Sequence, residues 1–408
     1  MKILLFLRLY SHFIDSINKK VWSPKGMPAV YKLIDRLNAK GIHTDVIFIS
    51  YDKSDNINKY QKLKFDKLEN INFHIFPYYN NIIKGFTYLK IRHIINSLRL
   101  IYINQYNIIY CDRINVEYGG LFARLGYKVF LRLHGVAYLN DTLKPTKKFF
   151  VPSIEYFLGY KAPFSAVICS RDGSPGLDFI KRIMKSTIKS KLMLNGVDYI
   201  DGLDRVLDLR KKYQLNQKTK IIATIGRLSP DKSPDLFIKS IVEVNKKNKN
   251  IFGILIGDGP MKKELQDLIN EYGISDKIYL LGTYEHYLVQ TFLQQADIFV
   301  SLNLCGNLSN AVLEAISAGK CIITLGYDDQ TKRDQHSKIE DFKESIIFIN
   351  HYKIIDDLST KINQLIENPT LIHKKSNEVK KLNAKYLVSW EKRIDKEIKF
   401  INSVIKPT

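Results

Sequence analysis

Two cations stand close together in the stretch TIGRLSPDKSPD, residues 224–235. Arg227 follows the glycine that closes a short apolar run, and Lys232 precedes the next helical pattern. A guanidinium fork and an ammonium point charge on one loop can converge on phosphate oxygens. Open α/β sheets bind their ligands on such loops, at the carboxyl ends of strands. A second stretch, SLNLCGNLSNAVLEAISAGKCIIT at 301–324, suits related chemistry. Gly306, Asn307, Leu308, Ser309 and Asn310 lead into a helical pattern that Gly319 closes. Backbone N–H groups at a helix start attract anions. Glu314, inside that helix, has no capping-box partner, because Ala311 stands three residues earlier. It has no cation at i±3 or i±4 either, where Asn310, Ala311, Ser317 and Ala318 stand. At 1.5 Å per residue it lies roughly 10 Å beyond Asn307, a span comparable to that from a nucleotide's phosphates to its ribose. The helix tip therefore suits a diphosphate, and Glu314 suits ribose hydroxyls. GDGP at 257–260 lacks the third glycine of a dinucleotide fingerprint and reads as a plain strand-to-helix turn.

These loops need a sheet to hold them. Apolar runs at 2–8, 44–50, 107–111, 128–134 and 165–170 alternate with longer amphipathic segments. A second series of runs follows at 220–226, 253–257, 277–282, 297–302 and 320–324. In SPKGMPAVYKLIDRLNAKG, Ala29, Val30, Leu33, Ile34 and Leu37 recur at helical spacing and Gly41 ends the pattern. This alternation predicts an α/β protein with two Rossmann-like domains, each a parallel sheet covered by helices, and a cleft between them. The expected boundaries are 1–198 for the first domain, 199–219 for a linker and 220–385 for the second domain. Residues 386–408 form a last amphipathic helix.

Composition narrows the partners. The chain has 408 residues and a net charge of +22, of which residues 1–200 carry +17 and residues 201–408 carry +5. A basic first half predicts an acidic partner. Segments 84–100 and 147–161 mix cations with aromatic and aliphatic residues, which suits an anionic bilayer or a lipid-linked acceptor. No nucleic-acid recognition motif accompanies the charge. The opening MKILLFLRLY is broken by Arg8 and lacks a small-residue cleavage site, so it reads as a first strand and not as a leader. No segment is apolar for long enough to span a bilayer. Four scattered cysteines without a CxxC pair fit a reducing cytosol and no zinc site.

Taken in order, GRLSPDK, GDGP, and LEAISAGKCII after ADIFVSLN resemble the family-4 retaining glycosyltransferases of the GT-B fold. KGMPAVYKLIDRLNAKGIHTDVIFI, LRLHGV, VICS and LNGVD in the first half, and SWEKRIDKEI near the end, extend that resemblance over nearly the whole chain. It implies parallel sheets facing across a cleft, acceptor binding by the first domain, nucleotide-sugar binding by the second, and a C-terminal helix crossing back to the first. By the same resemblance Arg227 and Lys232 bind the donor diphosphate and stabilise the leaving nucleotide. Glu314 matches the second Glu of the family's Glu-x7-Glu pair and holds the ribose. His134 lies at the cleft near the donor sugar and joins Arg227 and Lys232 as the expected catalytic set. Gly26 lets the backbone approach the diphosphate or the acceptor. Asn307, Leu308, Ser309 and Asn310 complete the expected donor contacts. No Asp-x-Asp triplet occurs, so neither a metal nor a cofactor beyond the nucleotide-sugar is expected.

Two residues depart from the pattern. Gly306 stands where the first Glu of the pair belongs, leaving Asn307 and Asn310 to offer neutral amides to sugar hydroxyls. Lys25 and Gly26 occupy a loop that often carries adjacent glycines. The implied function is sugar transfer from a nucleotide-diphosphate donor to a glycan or lipid-linked acceptor. The implied setting is synthesis of cell-surface polysaccharide or lipopolysaccharide, in the cytoplasm and peripherally on the inner face of the membrane. Gly306 keeps open a catalytically silent sugar-nucleotide-binding protein, and the fold keeps open a nucleotide-sugar epimerase. Donor hydrolysis or transfer separates the silent protein from the enzyme.

Overall fold

The computed structural model describes residues 1–24, 26–78, 91–136, 155–184, 188–198 and 208–405. The chain divides into two compact units. The first comprises Met1–Arg171, Gly176–Met193 and Trp390–Thr408; the second comprises Asp172–Pro175 and Leu194–Ser389.

The first unit is built on eight strands: β1 Lys2–Arg8, β2 His43–Ile49, β3 Gln61–Leu63, β4 Ile71–Phe76, β5 Ile108–Asp112, β6 Val129–Leu133, β7 Ala166–Ser170 and β8 Lys189–Met193. Their order is β3-β4-β2-β1-β5-β6-β7-β8, parallel throughout except for the antiparallel edge strand β3. The central strands are nearly continuous apolar runs because both faces are covered. One face packs under α1 (Ser11–Lys19), α2 (Pro28–Ala39) and the C-terminal helix Trp390–Ile405. The other packs under α3 (Ile91–Asn104), α4 (Val116–Arg124) and α5 (Gly176–Ile183). The C-terminal helix buries Trp390, Ile394, Ile398 and Ile401 in the core that holds α2. Arg36 on α2 forks onto Asp395 at 2.8 and 2.7 Å, and Lys40 adds a contact at 3.1 Å.

The second unit has six strands, all parallel: β9 Lys220–Ile225, β10 Ile251–Ile256, β11 Ile278–Gly282, β12 Ile298–Ser301, β13 Cys321–Leu325 and β14 Ile347–Ile349. Their order, β11-β10-β9-β12-β13-β14, is the 3-2-1-4-5-6 arrangement of a doubly wound sheet. Helices α6 (Leu209–Lys212), α7 (Pro234–Lys247), α8 (Lys262–Glu271), α9 (His286–Gln295), α10 (Asn310–Ser317), α11 (Glu340–Ser345), α12 (Ile354–Glu367) and α13 (Pro369–Tyr386) accompany the strands. The chain reverses its winding between β9 and β12, which is where such sheets open a ligand crevice.

The two parallel-sheet α/β domains expected from the alternation are present. Several details differ. Helix α1 and strands β3, β4 and β14 are additional to the expected elements, being short or flanked by polar residues that blur the period. Residues 199–207 of the expected linker lie outside the described residues, and 208–219 pack onto the second unit. Leu209 is fully buried against the second sheet, and Arg210 donates to the carbonyls of Asn216 and Thr219 at 2.8 and 3.1 Å.

Candidate active site

Three loops of the second unit lie side by side at the carboxyl edge of its sheet. The loop after β9 carries Arg227 and Lys232. Leu228 N–H donates to the Asp258 carbonyl at 2.9 Å, and Met261 N–H returns to the Leu228 carbonyl at 3.1 Å. These bonds explain GDGP better than a plain turn does. A Cβ on Gly257 would lie 1.9 Å from the Gly226 carbonyl oxygen, and one on Gly259 would lie 2.3 Å from that of Leu228. Both glycines exist to let two backbones meet. On the other side, Leu304 N–H donates to the Asp231 carbonyl at 2.9 Å, tying the loop after β12 to the same cation loop. Arg227 is exposed, and its side chain has no partner among the described residues. Lys232 is half-buried, with its ammonium 3.3 Å from Asp231. A free guanidinium on a loop braced from both sides can engage an anion without rearranging.

The loop before α10 departs from expectation. Asn307 does not face a ligand: it is fully buried and all its polar capacity is used. Its Oδ1 accepts from Ser301 Oγ at 2.9 Å and Asn303 N–H at 3.2 Å, while Nδ2 donates to the Asn303 carbonyl at 2.9 Å and to Asp334 at 3.0 Å. Its backbone N–H is held by Asp334 at 2.6 Å, and that of Leu308 by the Asp172 carbonyl at 2.9 Å. Neither N–H is available to an anion, so Asn307 and Leu308 are corrected from donor contacts to scaffold.

Gly306 is buried, with φ +137°, and a Cβ there would come within 2.6 Å of the Asp172 carbonyl and 2.8 Å of Ser174 N. Gly173 faces it, its own would-be Cβ 2.8 Å from Gly306 Cα. The departure at 306 is therefore a backbone crossing with no room for a carboxylate. Ser309 precedes α10 in extended geometry without a side-chain cap, and the first turn of the helix receives no capping bond from it. Asn310, Ala311, Glu314, Ser317 and Ala318 form the half-buried face of α10, opposite Val312, Leu313, Ala315 and Ile316. Asn310 and Glu314 thus share one face, a turn apart. Asn310 Oδ1 accepts from Asn195 Nδ2 at 2.8 Å.

Asp334 went unread in the sequence, because nothing local marks it. It is fully buried, and burial together with the Asp172 charge outweighs its bonds from Asn307, raising its carboxyl to about 7. Asp172 is raised as well, chiefly by burial.

In the first unit, His134 follows β6. Burial, then the charges of Arg132, Arg393 and Arg113, push its pKa down to about 3, so the imidazole is neutral at physiological pH. Its Nε2 is buried without a partner. In that state the ring can donate or accept a hydrogen bond but does not act as a cation. Gly26, at φ +118°, is packed against His12, whose ring carbon would lie 2.8 Å from a Cβ. That contact gives this glycine a packing role beside the expected one. Arg132 was also missed, though a lone charge inside the apolar run KVFLRLH is a legible signal.

Comparisons with known proteins bear on the fold and on the second unit. Residues 206–385 match the family described as Glycosyl transferases group 1. An uncharacterized glycosyltransferase of Methanocaldococcus jannaschii is 33% identical over 152 residues, covering 35% of this chain and 37% of that protein. The phosphatidylinositol N-acetylglucosaminyltransferase GPI3 subunit of Saccharomyces cerevisiae is 32% identical over 117 residues, covering 29% of this chain and 26% of its own length. The chain thus spans between about a quarter and about two fifths of these two curated relatives. The Anabaena protein HepE, solved with UDP and glucose, superposes with a TM-score of 0.69 over 99% of both chains at 14% identity. The fold read from the sequence holds: the chain has the GT-B fold, and residues 206–385 match the group 1 glycosyl transferase model.

Proposed function

We propose that the protein is a retaining glycosyltransferase that moves a sugar from a nucleotide-diphosphate donor to a glycan or lipid-linked acceptor of the cell surface. The observation that carries this reading is the braced loop with Arg227 and Lys232 at the winding reversal between β9 and β12. In it, Arg227 and Lys232 take the diphosphate, and their charge meets the negative charge that grows on the leaving nucleotide. These cations make a metal unnecessary for that step. Glu314 accepts from the ribose hydroxyls, and Asn310, a turn earlier, offers its amide nearby. The HepE structure with UDP and glucose supports the donor class. The yeast relative, named for phosphatidylinositol, supports a lipid-linked acceptor.

Peripheral binding to an anionic cytoplasmic membrane surface belongs to the same proposal. Residues 84–90 and 147–154 of the two expected segments lie outside the described residues. The rest of the first falls on α3, which turns His93, Ser97 and Ile101 inward and leaves Ile91, Ile95, Tyr102 and Ile103 exposed at 74, 59, 81 and 62%. In the second, Phe157 is exposed. The exposed Ile91, Ile95, Tyr102 and Ile103 stand beside exposed Arg92 and Arg99, a mixture of apolar and basic side chains that suits an anionic lipid surface. Among the described residues no helix is long and apolar enough to cross a membrane.

The test is a thermal-shift screen of the purified chain against nucleotide-sugars, with and without a chelator. It is followed by transfer assays in which the product anomer is read by NMR. A donor that binds should raise the melting temperature by mass action. Failure of every nucleotide-sugar to do so overturns the proposal, and binding without transfer or hydrolysis leaves only the silent binder.

A further inference from the structure

The first unit gathers cations at the carboxyl edge of its sheet. Arg8 ends β1, Arg113 follows β5, Arg132 and His134 lie at the end of β6, and Ser170 ends β7. These strands are neighbours, with Asp112 paired to Arg132 and Leu133 to Cys169. Arg132 is fully buried. Its Nη2 donates to Ser170 Oγ at 3.0 Å, while Nε and Nη1 have no partner. Arg113 is half-buried, with no side-chain partner among the described residues. The Nε2 of His134 is buried and unbonded.

Among the described residues no carboxylate forms an ion pair with Arg132, and the nearest two have other hydrogen-bond partners. Glu397 accepts from Tyr110 at 2.6 Å and pairs with Arg393. Asp112 accepts from the N–H groups of Arg8 and Asn115 at 2.9 and 3.2 Å and from Asn115 Nδ2 at 2.7 Å. A buried guanidinium without a counter-ion is costly, and unpaired buried donors are rare enough to need a cause.

We propose that Arg132, Arg113 and His134 form a phosphate-binding site that receives a phosphate group of the acceptor. A tetrahedral oxyanion takes several donors at once, and a guanidinium fork matches two of its oxygens. The neutral imidazole, kept so first by burial and then by the surrounding guanidinium groups, adds a donor without adding charge. This identity of the ligand as acceptor rests on the glycosyltransferase reading; the site itself does not.

The experiment measures phosphate binding without turnover. Calorimetry uses the full chain carrying Arg227→Ala and Lys232→Ala, so that the donor loop contributes nothing. The probes are inorganic phosphate, a hexose 1-phosphate, and dihexanoyl phosphatidic acid below its micelle concentration. At least one should bind. Tighter binding of the hexose phosphate assigns a soluble phosphosugar, and tighter binding of the lipid assigns a lipid-linked one. Adding Arg113→Gln should weaken the bound probe at least tenfold. Arg132→Met keeps an apolar filler; it should match or exceed the parent's melting temperature in chloride yet lose the rise that phosphate confers. Binding unchanged by Arg113→Gln, or no binding of any probe, overturns the site. Transfer to a phosphate-free acceptor together with no phosphate binding would sink this inference while leaving the proposed function standing.

Discussion

The two sheets present their cations in opposite ways. In the second unit Arg227 stands in solvent on a loop fixed by backbone bonds on both sides. In the first, Arg132 and Arg393 are buried, and burial with the neighbouring charge lowers Arg393 to about 8. An exposed cation keeps its hydration until a ligand arrives, so it suits a group that comes and goes at each turnover. A buried one has lost its water in advance and binds an anion with little further desolvation, at a standing cost to the fold. The second unit therefore stores its precision in the backbone, at Gly257, Gly259, Gly173 and Gly306, and the first stores it in charge. Each half of that contrast can be broken separately.

The largest effect is expected where backbones cross. Gly306→Glu would restore the family's carboxylate on paper. In the fold it forces a side chain into the backbone of residues 172–174 and buries a charge. Overpacking alone costs about 1–3 kcal/mol, and the buried carboxylate adds to it, for a total of about 4 kcal/mol or more. Denaturant unfolding of the second unit should show this loss, and a variant with parental stability would refute the crossing. Gly306→Ala should be milder but in the same direction.

Next is pH. The carboxyl of Asp334 titrates at its ordinary 3.8 when unfolded and at about 7 when folded. Between those values the folded protein keeps a proton that the unfolded chain has shed, so stability falls as pH rises through that window. At about 1.4 kcal/mol per unit the loss is at most about 4 kcal/mol. Asp334→Asn should flatten most of the slope in melting temperature between pH 4 and 7. Asp172, raised in the same direction, keeps the remainder. An unchanged slope would remove Asp334 from the crossing's electrostatics.

These two expectations mark what the sequence hides. The strands, the cation loop and the helix after it are legible because apolar period and turn residues are local signals. The anomaly at Gly306 is legible too, but not its cause. Gly173 lies 133 positions earlier in the chain, and no period links the two. Asn307 looks like a ligand contact because N–H groups at a helix start attract anions; only Asp334, 27 positions later, shows that its donors are taken. Gly26 looks like a ligand-approach glycine until His12 is seen against it. On the C-terminal helix, Arg393 and Glu397 share the face of Trp390, Ile394 and Ile401, so a buried pair was readable there, though not that it lies close to Arg132.

The exposed half of the contrast predicts loss of binding without loss of fold. Arg227→Ala should weaken nucleotide diphosphate binding by about 1.5–3 kcal/mol, as for a hydrogen bond to a charged group. The melting temperature should stay level, since the side chain touches nothing among the described residues. Calorimetry with the diphosphate and the bare nucleoside checks the assignment: equal losses for both ligands would mean that the loop does not read phosphate.

The smallest effect concerns Glu314. It sits on the half-buried face of α10, a turn from Asn310 and among alanines. Gln keeps its length and nearly its helix propensity, so Glu314→Gln should unfold at the parent's temperature. If the carboxylate grips ribose hydroxyls, the change trades a charge-assisted bond for a neutral one about half as strong. Donor affinity should then fall by about 1–2 kcal/mol. A donor analogue lacking both ribose hydroxyls cannot make the bond to either protein, so its affinity should barely differ between parent and variant. That pattern separates a ribose contact from a general weakening of the helix tip, which would hit both donors alike. Parental affinity of Glu314→Gln for the intact donor would remove the ribose role and leave α10 contributing only the position of its first turn.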